Sequence, residues 1–281
     1  MTVVTRFAPS PTGLLHLGHA CSALVTWRVA GEHGGRVLLR LEDIDTARCR
    51  PEFDAAILDD LPWLGLDWDG PVRRQSEHFD DYAATLDRLR EDGLVYPCFC
   101  TRRQIEAEIA AAGSAPHGPL GAIYPGTCRN LSMSEREDRI ATGENHALRL
   151  DVAKAARRTG PLSWHEADEG RLPVDPMIGG DVVLARKDTP TSYHLAVTHD
   201  DHLQRVSLVT RGEDLKPSTH IHRLLQALLD WDEPRYAHHG LLVGDDGKRF
   251  AKRDRSLTLR ALREAGKTPD EVIAMAEGMA P

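Results

Sequence analysis

The chain has 281 residues, 41% of them hydrophobic and 28% charged, with a formal net charge of −8. That length suits one large α/β domain with an insertion, or two modest domains, and the mix is that of a chain able to bury a sizeable core. No run of eighteen apolar residues argues for a membrane span, Met1 to Phe7 lacks the apolar core of a signal peptide, and a cytoplasmic location follows as the expectation. The acidic balance excludes a uniformly basic surface, and five cysteines, an odd number, speak against a disulfide framework.

In chain order, Thr2 to Phe7 reads as a buried first strand, followed by the Pro- and Gly-rich turn Ala8-Pro9-Ser10-Pro11-Thr12-Gly13. Leu17, Ala20, Cys21, Leu24 and Val25 recur at helical spacing up to about Ala30, with Cys21 on the inward face. Val37 to Leu41 reads as a second strand, so the segment forms a βαβ unit and implies a parallel sheet. Glu52 to Leu64 and Glu77 to Asp92 read as amphipathic helices. Leu94 to Arg129 holds Cys98, Cys100, Cys128 and a Gly/Pro-rich loop, and reads as an insertion. Further strands are expected at His146 to Val152, Asp181 to Arg186, Tyr193 to Val197 and Val206 to Thr210, and a helix at His220 to Leu229. The end comprises a Gly244 to Gly247 turn, a basic stretch and two short helices. Lys248 to Lys267 holds eight Lys/Arg, which fits a localised polyanion contact as well as a solvated helix face.

Chemistry concentrates in a few patterns. His16-Leu-Gly-His19 stands where the first helix begins, so two imidazoles join the free N–H groups and positive dipole end of a helix N-terminus, a setting that favours phosphate. Gly18 lets a nucleotide lie close to the backbone. Cys98-x-Cys100 with Cys128 offers three thiolates, and a structural zinc site usually has four ligands. Tyr124 and His117 are the two candidates for the fourth. His146, His165, His199, His202, His238 and His239 follow no pattern and read as surface or satisfied core residues.

Arg6-Phe-Ala-Pro-Ser-Pro-Thr-Gly13 with His16 to His19 resembles the HIGH signature of class I aminoacyl-tRNA synthetases, in the form of the glutamyl and glutaminyl branch. Leu41-Glu-Asp-Ile-Asp45, Tyr193 to Asp201 and Val209 to Leu215 resemble that family's strand ends, and Lys248-Arg-Phe-Ala-Lys-Arg253 resembles its KMSKS loop. Leu17 replaces Ile in the first signature. Arg249 and Ala251 replace the usual Lys and Ser in the second, while Lys252 is retained.

The resemblance implies a Rossmann-type parallel-sheet α/β catalytic domain (1–93 and 130–235), a zinc-binding insertion (94–129), and a KMSKS-like loop with a short helical C-terminal segment (236–281). It implies activation of glutamate by ATP through a glutamyl-adenylate. His16, His19 and Lys252 then carry the chemistry, and His16, Gly18, His19 and Lys252 bind ATP with Mg²⁺. Arg6, Phe7, Ala8, Pro9, Ser10, Glu42, Tyr193 and Arg211 form the glutamate site, Glu42 meeting the α-ammonium and the two arginines the side-chain carboxylate. Short relatives in this family, the glutamyl-queuosine tRNA(Asp) synthetases, carry a Cys, Cys, Tyr, Cys zinc set, which points to Cys98, Cys100, Tyr124 and Cys128. Only 29 residues follow Lys252, fewer than the roughly 50 of an independent domain, so no anticodon-binding domain is expected. The expected partners are glutamate, ATP and a tRNA(Asp) carrying queuosine, served by a monomer with no membrane contact. A minimal synthetase charging a tRNA 3′ end and a non-catalytic binding protein are the alternatives.

Overall fold

The first strand, β1 (Val4–Phe7), is buried along its whole length, as an interior parallel strand should be. After it come α1 (Leu17–Glu32), β2 (Arg36–Leu41), α2 (Pro51–Trp63), β3 (Arg73–Arg74) and α3 (Phe79–Glu91). A computed structural model describes residues 2–111, 117–240 and 258–278. β1 pairs in parallel with β2 through Val4–Arg36 and Phe7–Leu39, and β2 pairs in parallel with β3. The return from α1 to β2 is tight: a Cβ at Gly35 would stand 2.6 Å from the Val3 carbonyl oxygen, so only glycine fits without a shift.

The middle of the chain forms β4 (Val95–Cys98), α4 (Arg102–Ala111), the short pair β5 (His117–Gly118) and β6 (Gly121–Ala122), α5 (Met133–Ala141), β7 (Ala147–Leu150) and α6 (Val152–Thr159). Next come β8 (Ser163–Glu166), β9 (Gly170–Pro173) and β10 (Val183–Ala185). β4, β7 and β10 make an antiparallel sheet of their own, with β7 in the centre.

The last third holds α7 (Tyr193–Leu203), β11 (Leu208–Gly212), α8 (Ser218–Leu228), β12 (Arg235–His239), α9 (Leu259–Glu264) and α10 (Pro269–Gly278). β11 pairs in parallel with β12, β12 meets β8 in parallel, and β9 closes the far edge antiparallel to β8. β1 and β11 lie side by side: the Ser207 N–H donates to the Val4 carbonyl at 2.9 Å, and the Thr5 and Thr210 hydroxyls meet at 3.2 Å. The chain therefore winds outward from β1 in one direction and from β11 in the other. In such α/β sheets ligands bind where the order reverses, outside the carboxyl ends of the strands.

One core lies around α1, β2 and α2, and the C-terminal helices complete it with Leu259, Leu262, Val272 and Ala276. The Leu259 N–H donates to the Leu15 carbonyl at 2.9 Å, which ties α9 to the start of α1. A second core packs α3, α6, α7 and α8 against β10. No helix among the described residues is long and apolar enough to cross a membrane.

One expectation fails. Tyr193 to Val197 is not a strand but the first turn and a half of α7. Ser192 caps it, its hydroxyl accepting from the Leu195 N–H at 3.4 Å. Leu195, Ala196, Val197, Thr198, Asp200 and Asp201 are all buried, so this helix has no single apolar stripe to announce it.

Candidate active site and metal cluster

His16 is the N-cap of α1. Its Nδ1 accepts from the Gly18 N–H at 3.1 Å, while His19 Nδ1 accepts from the His16 N–H at 3.2 Å. This reciprocal cap consumes the Nδ1 lone pair of both rings, so each neutral imidazole carries its proton on Nε2. The rings lie 3.8 Å apart. The motif thus builds two oriented Nε2–H donors at the positive end of a helix.

A cavity of about 360 Å³ opens at the reversal point between β1 and β11. It is lined by Arg6, Phe7, Ala8, Pro9 and Ser10 from the end of β1, His19 and Ser22 from α1, and Glu42 after β2. Tyr193 at the start of α7 and Thr210, Arg211 and Gly212 at the end of β11 close it. All eight residues expected to read glutamate are thus on its wall. Lys252, Arg249 and Ala251 lie outside the described residues.

Beneath the cavity runs a charged network that the sequence did not reveal. Asp201 Oδ1 accepts from Arg6 Nε at 2.9 Å and from Arg40 Nη2 at 2.7 Å, and Arg40 is fully buried. Asp200 accepts from Arg73, Gln75 and Tyr82 at 2.8 to 2.9 Å. Burial alone would raise the Asp201 carboxyl, but Arg6 and Arg40 override it and hold the group below the usual carboxylate range. Glu42 is held less tightly, 3.7 Å from Arg40 Nη2. There burial wins over the pull of Arg40 and Arg6, and pushes its carboxyl up to about 7. A carboxylate raised in this way gains most when a cation arrives beside it.

Arg211 differs from its neighbours. It is 5% exposed, yet among the described residues its partners are all neutral groups: His238 Nε2 at 3.1 Å, His222 Nδ1 at 3.1 Å, Tyr193 OH at 3.3 Å and Thr219 Oγ1 at 2.7 Å. Neither His238 nor His222 stands in a sequence motif. Their signal is tertiary, because both face Arg211 only once α8 and β12 pack against β11.

The cysteines also gather. The sulfurs of Cys98, Cys100 and Cys128 lie within 4.8 Å of one another. Cys100 Sγ is 3.4 Å from Cys128 Sγ and 3.6 Å from Tyr124 OH. A tetrahedral ion with sulfur ligands at 2.3 Å has edges of about 3.8 Å, so four donors at this spacing fit one. The Tyr124 oxygen accepts from the Cys128 N–H at 2.9 Å, and the Arg149 guanidinium lies 4.0 Å above its ring. Both would stabilise the phenolate, against the burial that pushes the Tyr124 phenol well above its ordinary range. His117 lies in β5, but its side chain is outside the described residues.

Residues 2–279 match the family model described as tRNA synthetases class I (E and Q), catalytic domain. The chain is 48% identical over 278 residues to the glutamyl-Q tRNA(Asp) synthetase of Rhodobacter capsulatus, covering 96% of this chain and 98% of that one. It is 38% identical to glutamate–tRNA ligase 2 of Syntrophus aciditrophicus, covering 95% of this chain and 55% of that one. Among solved structures, a glutamate tRNA ligase from Elizabethkingia meningosepticum, in complex with its amino acid, aligns with a TM-score of 0.76 at 30% identity. That alignment covers 90% of this chain and 52% of the other.

Proposed function

We infer the function from family and geometry together: the chain belongs to the class I tRNA synthetases of the E and Q branch and, within them, to the glutamyl-Q tRNA(Asp) synthetase family. It is an enzyme of the ligase type that activates glutamate. The further reading is that it does so without tRNA and passes the glutamate to queuosine in the anticodon loop of tRNA(Asp). The single observation that carries the glutamate assignment is the buried Arg211, whose charge meets no carboxylate among the described residues. A guanidinium left in that state suits a ligand carboxylate.

In this reading Glu42 receives the α-ammonium and Arg6 and Arg211 receive the side-chain carboxylate. Arg6 Nε is committed to Asp201 and one Nη1 hydrogen to the Thr210 carbonyl, at 2.9 and 3.0 Å. Tyr193 and Ser10 supply neutral hydrogen bonds. With both ends of the amino acid fixed, the α-carboxylate is delivered toward the start of α1. There it attacks the α-phosphorus of ATP, forming glutamyl-adenylate and releasing pyrophosphate. The His16 and His19 Nε2–H groups and the helix N-terminus stabilise the charge that builds on the phosphoryl oxygens, and Lys252 holds the departing pyrophosphate. Mg²⁺ bound with ATP would shield its phosphate charge. No protein nucleophile is required.

A second cavity of about 320 Å³ shares Tyr193 with the first and reaches Tyr124 beside the cysteine cluster. Arg149, Arg186, Ser192 and His194 also line it. Its position beside the first cavity suits the entry of an acceptor nucleoside. Queuosine carries a cis-diol that mimics a terminal ribose, so it presents the same kind of nucleophilic hydroxyl to the adenylate. The higher identity to the glutamyl-Q enzymes than to the glutamate–tRNA ligases favours this acceptor over a tRNA 3′ end. Cys98, Cys100, Tyr124 and Cys128 would hold a structural zinc, which would stiffen the wall of this second cavity at Tyr124. The division into 1–93 with 130–235, 94–129 and 236–281, a monomer and a cytoplasmic location belong to the same proposal.

Glutamate-dependent exchange of labelled pyrophosphate into ATP tests the first step. The reading expects exchange with no RNA present. Exchange that starts only on adding tRNA contradicts it.

A further inference from the structure

Three buried arginines stand around the crevice, and they are neutralised differently. Arg6 and Arg40 share Asp201, and Arg40 also has Asp200 at 3.9 Å and Glu42 at 3.7 Å. Arg211 has two imidazoles instead. Arginine only donates, so His238 Nε2 and His222 Nδ1 must both be acceptors. This fixes the tautomers. His238 carries its proton on Nδ1 and donates it to Glu166 Oε2 at 2.8 Å. His222 carries its proton on Nε2 and donates it to His194 Nδ1 at 3.2 Å.

A second proton on either ring would point at the guanidinium, and the surroundings oppose it. Burial first, and Arg211 second, push His222 well below the ordinary histidine range, with His194, Arg6 and His238 adding to the effect. His238 is lowered chiefly by burial, against the pull of Glu166, with Arg211 and Lys216 opposing its charge and the Tyr236 ring stacked 6.0 Å away. Four of the five Arg211 hydrogens are used by His238, His222, Tyr193 and Thr219. One on Nη2 and the long 3.3 Å contact to Tyr193 remain to be given to a ligand.

We propose that His222 and His238 are positioning residues that orient Arg211 without neutralising it, and that the charge so preserved sets the preference for a side-chain carboxylate over a side-chain amide. The Glu166 carboxylate is kept one residue away behind His238. This rests on the reading that Arg211 meets the glutamate side chain.

The test compares two substitutions of nearly the same shape. His222→Asn places an amide oxygen where Nδ1 accepts. His222→Asp places a carboxylate there and neutralises Arg211. In pyrophosphate exchange, the Asp variant should have a KM for glutamate on the order of 10- to 100-fold above the Asn variant, the scale of one charged hydrogen bond. Its kcat should change far less, and its preference for glutamate over glutamine should shrink by a similar factor. Thr219→Asn against Thr219→Asp repeats the comparison from the other side of the guanidinium, should a His222 variant fail to fold. Equal KM and equal selectivity within both pairs would overturn the proposal. An Arg211→Ala variant with ordinary glutamate use would instead overturn the assignment beneath it.

Discussion

The crevice and the cysteine cluster are both assembled from side chains far apart in sequence, but they are held together differently. Around the crevice the fold itself does the holding. Arg6, Arg40 and Asp201 come from β1, β2 and α7, and their ion pairs are buried. Around the cysteines the core is small, built on Tyr96, Cys98, Phe99, Tyr124 and Cys128. Four donor atoms there converge on one point, a geometry that an ion would complete. The first region is pre-organised by packing and charge. The second would gain rigidity from a bound ion, because binding free energy at such sites is folding free energy.

Perturbing the crevice should therefore change substrate handling, and perturbing the cluster should change local order. The largest effect expected is for Arg211→Ala, which removes the unneutralised charge. KM for glutamate should rise roughly 10²-fold or more while metal content stays the same. A variant with near-normal KM would remove Arg211 from the binding reading.

Glu42 offers a second way in, through pH. Burial pushes its carboxyl up to about 7, so it is neutral below that value and charged above it. A neutral acid cannot balance the α-ammonium. KM for glutamate should be flat above about pH 7 and rise toward tenfold per unit below it, with Glu42→Gln showing a high and flatter profile. An unchanged slope in the Gln variant would assign the titration to another group.

The cluster gives a smaller effect on activity and a sharper one on order. Purified protein should carry about one zinc, and Cys98→Ser/Cys100→Ser should lose it. Amide exchange should then speed up around β4 and residues 124–131, while pyrophosphate exchange falls only about severalfold. Equal metal content in the double variant would dismiss the site. Smallest of all, Ser192→Ala removes the N-cap of α7 and should cost about 1 kcal/mol in chemical denaturation. No loss would mean that packing alone fixes the start of that helix.

What could be read in the sequence follows from how local each signal is. His16, Gly18 and His19 are contiguous with a helix start, so their placement is visible without a structure. β1, α1 and β2 were legible for the same reason, as were the C-terminal helices. Arg6, Glu42, Tyr193 and Arg211 were legible only through family resemblance, since a lone arginine at a strand end is equally a salt-bridge partner. Arg40, Asp201, His222 and His238 were not legible at all, because their meaning lies in contacts between β2, α7, α8 and β12. The segment from Tyr193 misled because Leu195, Ala196 and Val197 are β-compatible and buried together. The cue was Ser192, a helix cap, followed three residues later by the buried Leu195 whose N–H it receives.

The central claim is that glutamate activated in this crevice is transferred to queuosine. It is tested most directly by offering the enzyme labelled glutamate, ATP and tRNA(Asp), with and without queuosine, then cutting the product and locating the label. The account predicts label on the anticodon-loop fragment of queuosine-containing tRNA(Asp) and none on the queuosine-free tRNA. Label on queuosine-free tRNA, or on the 3′-terminal fragment, would contradict it in favour of 3′-end charging.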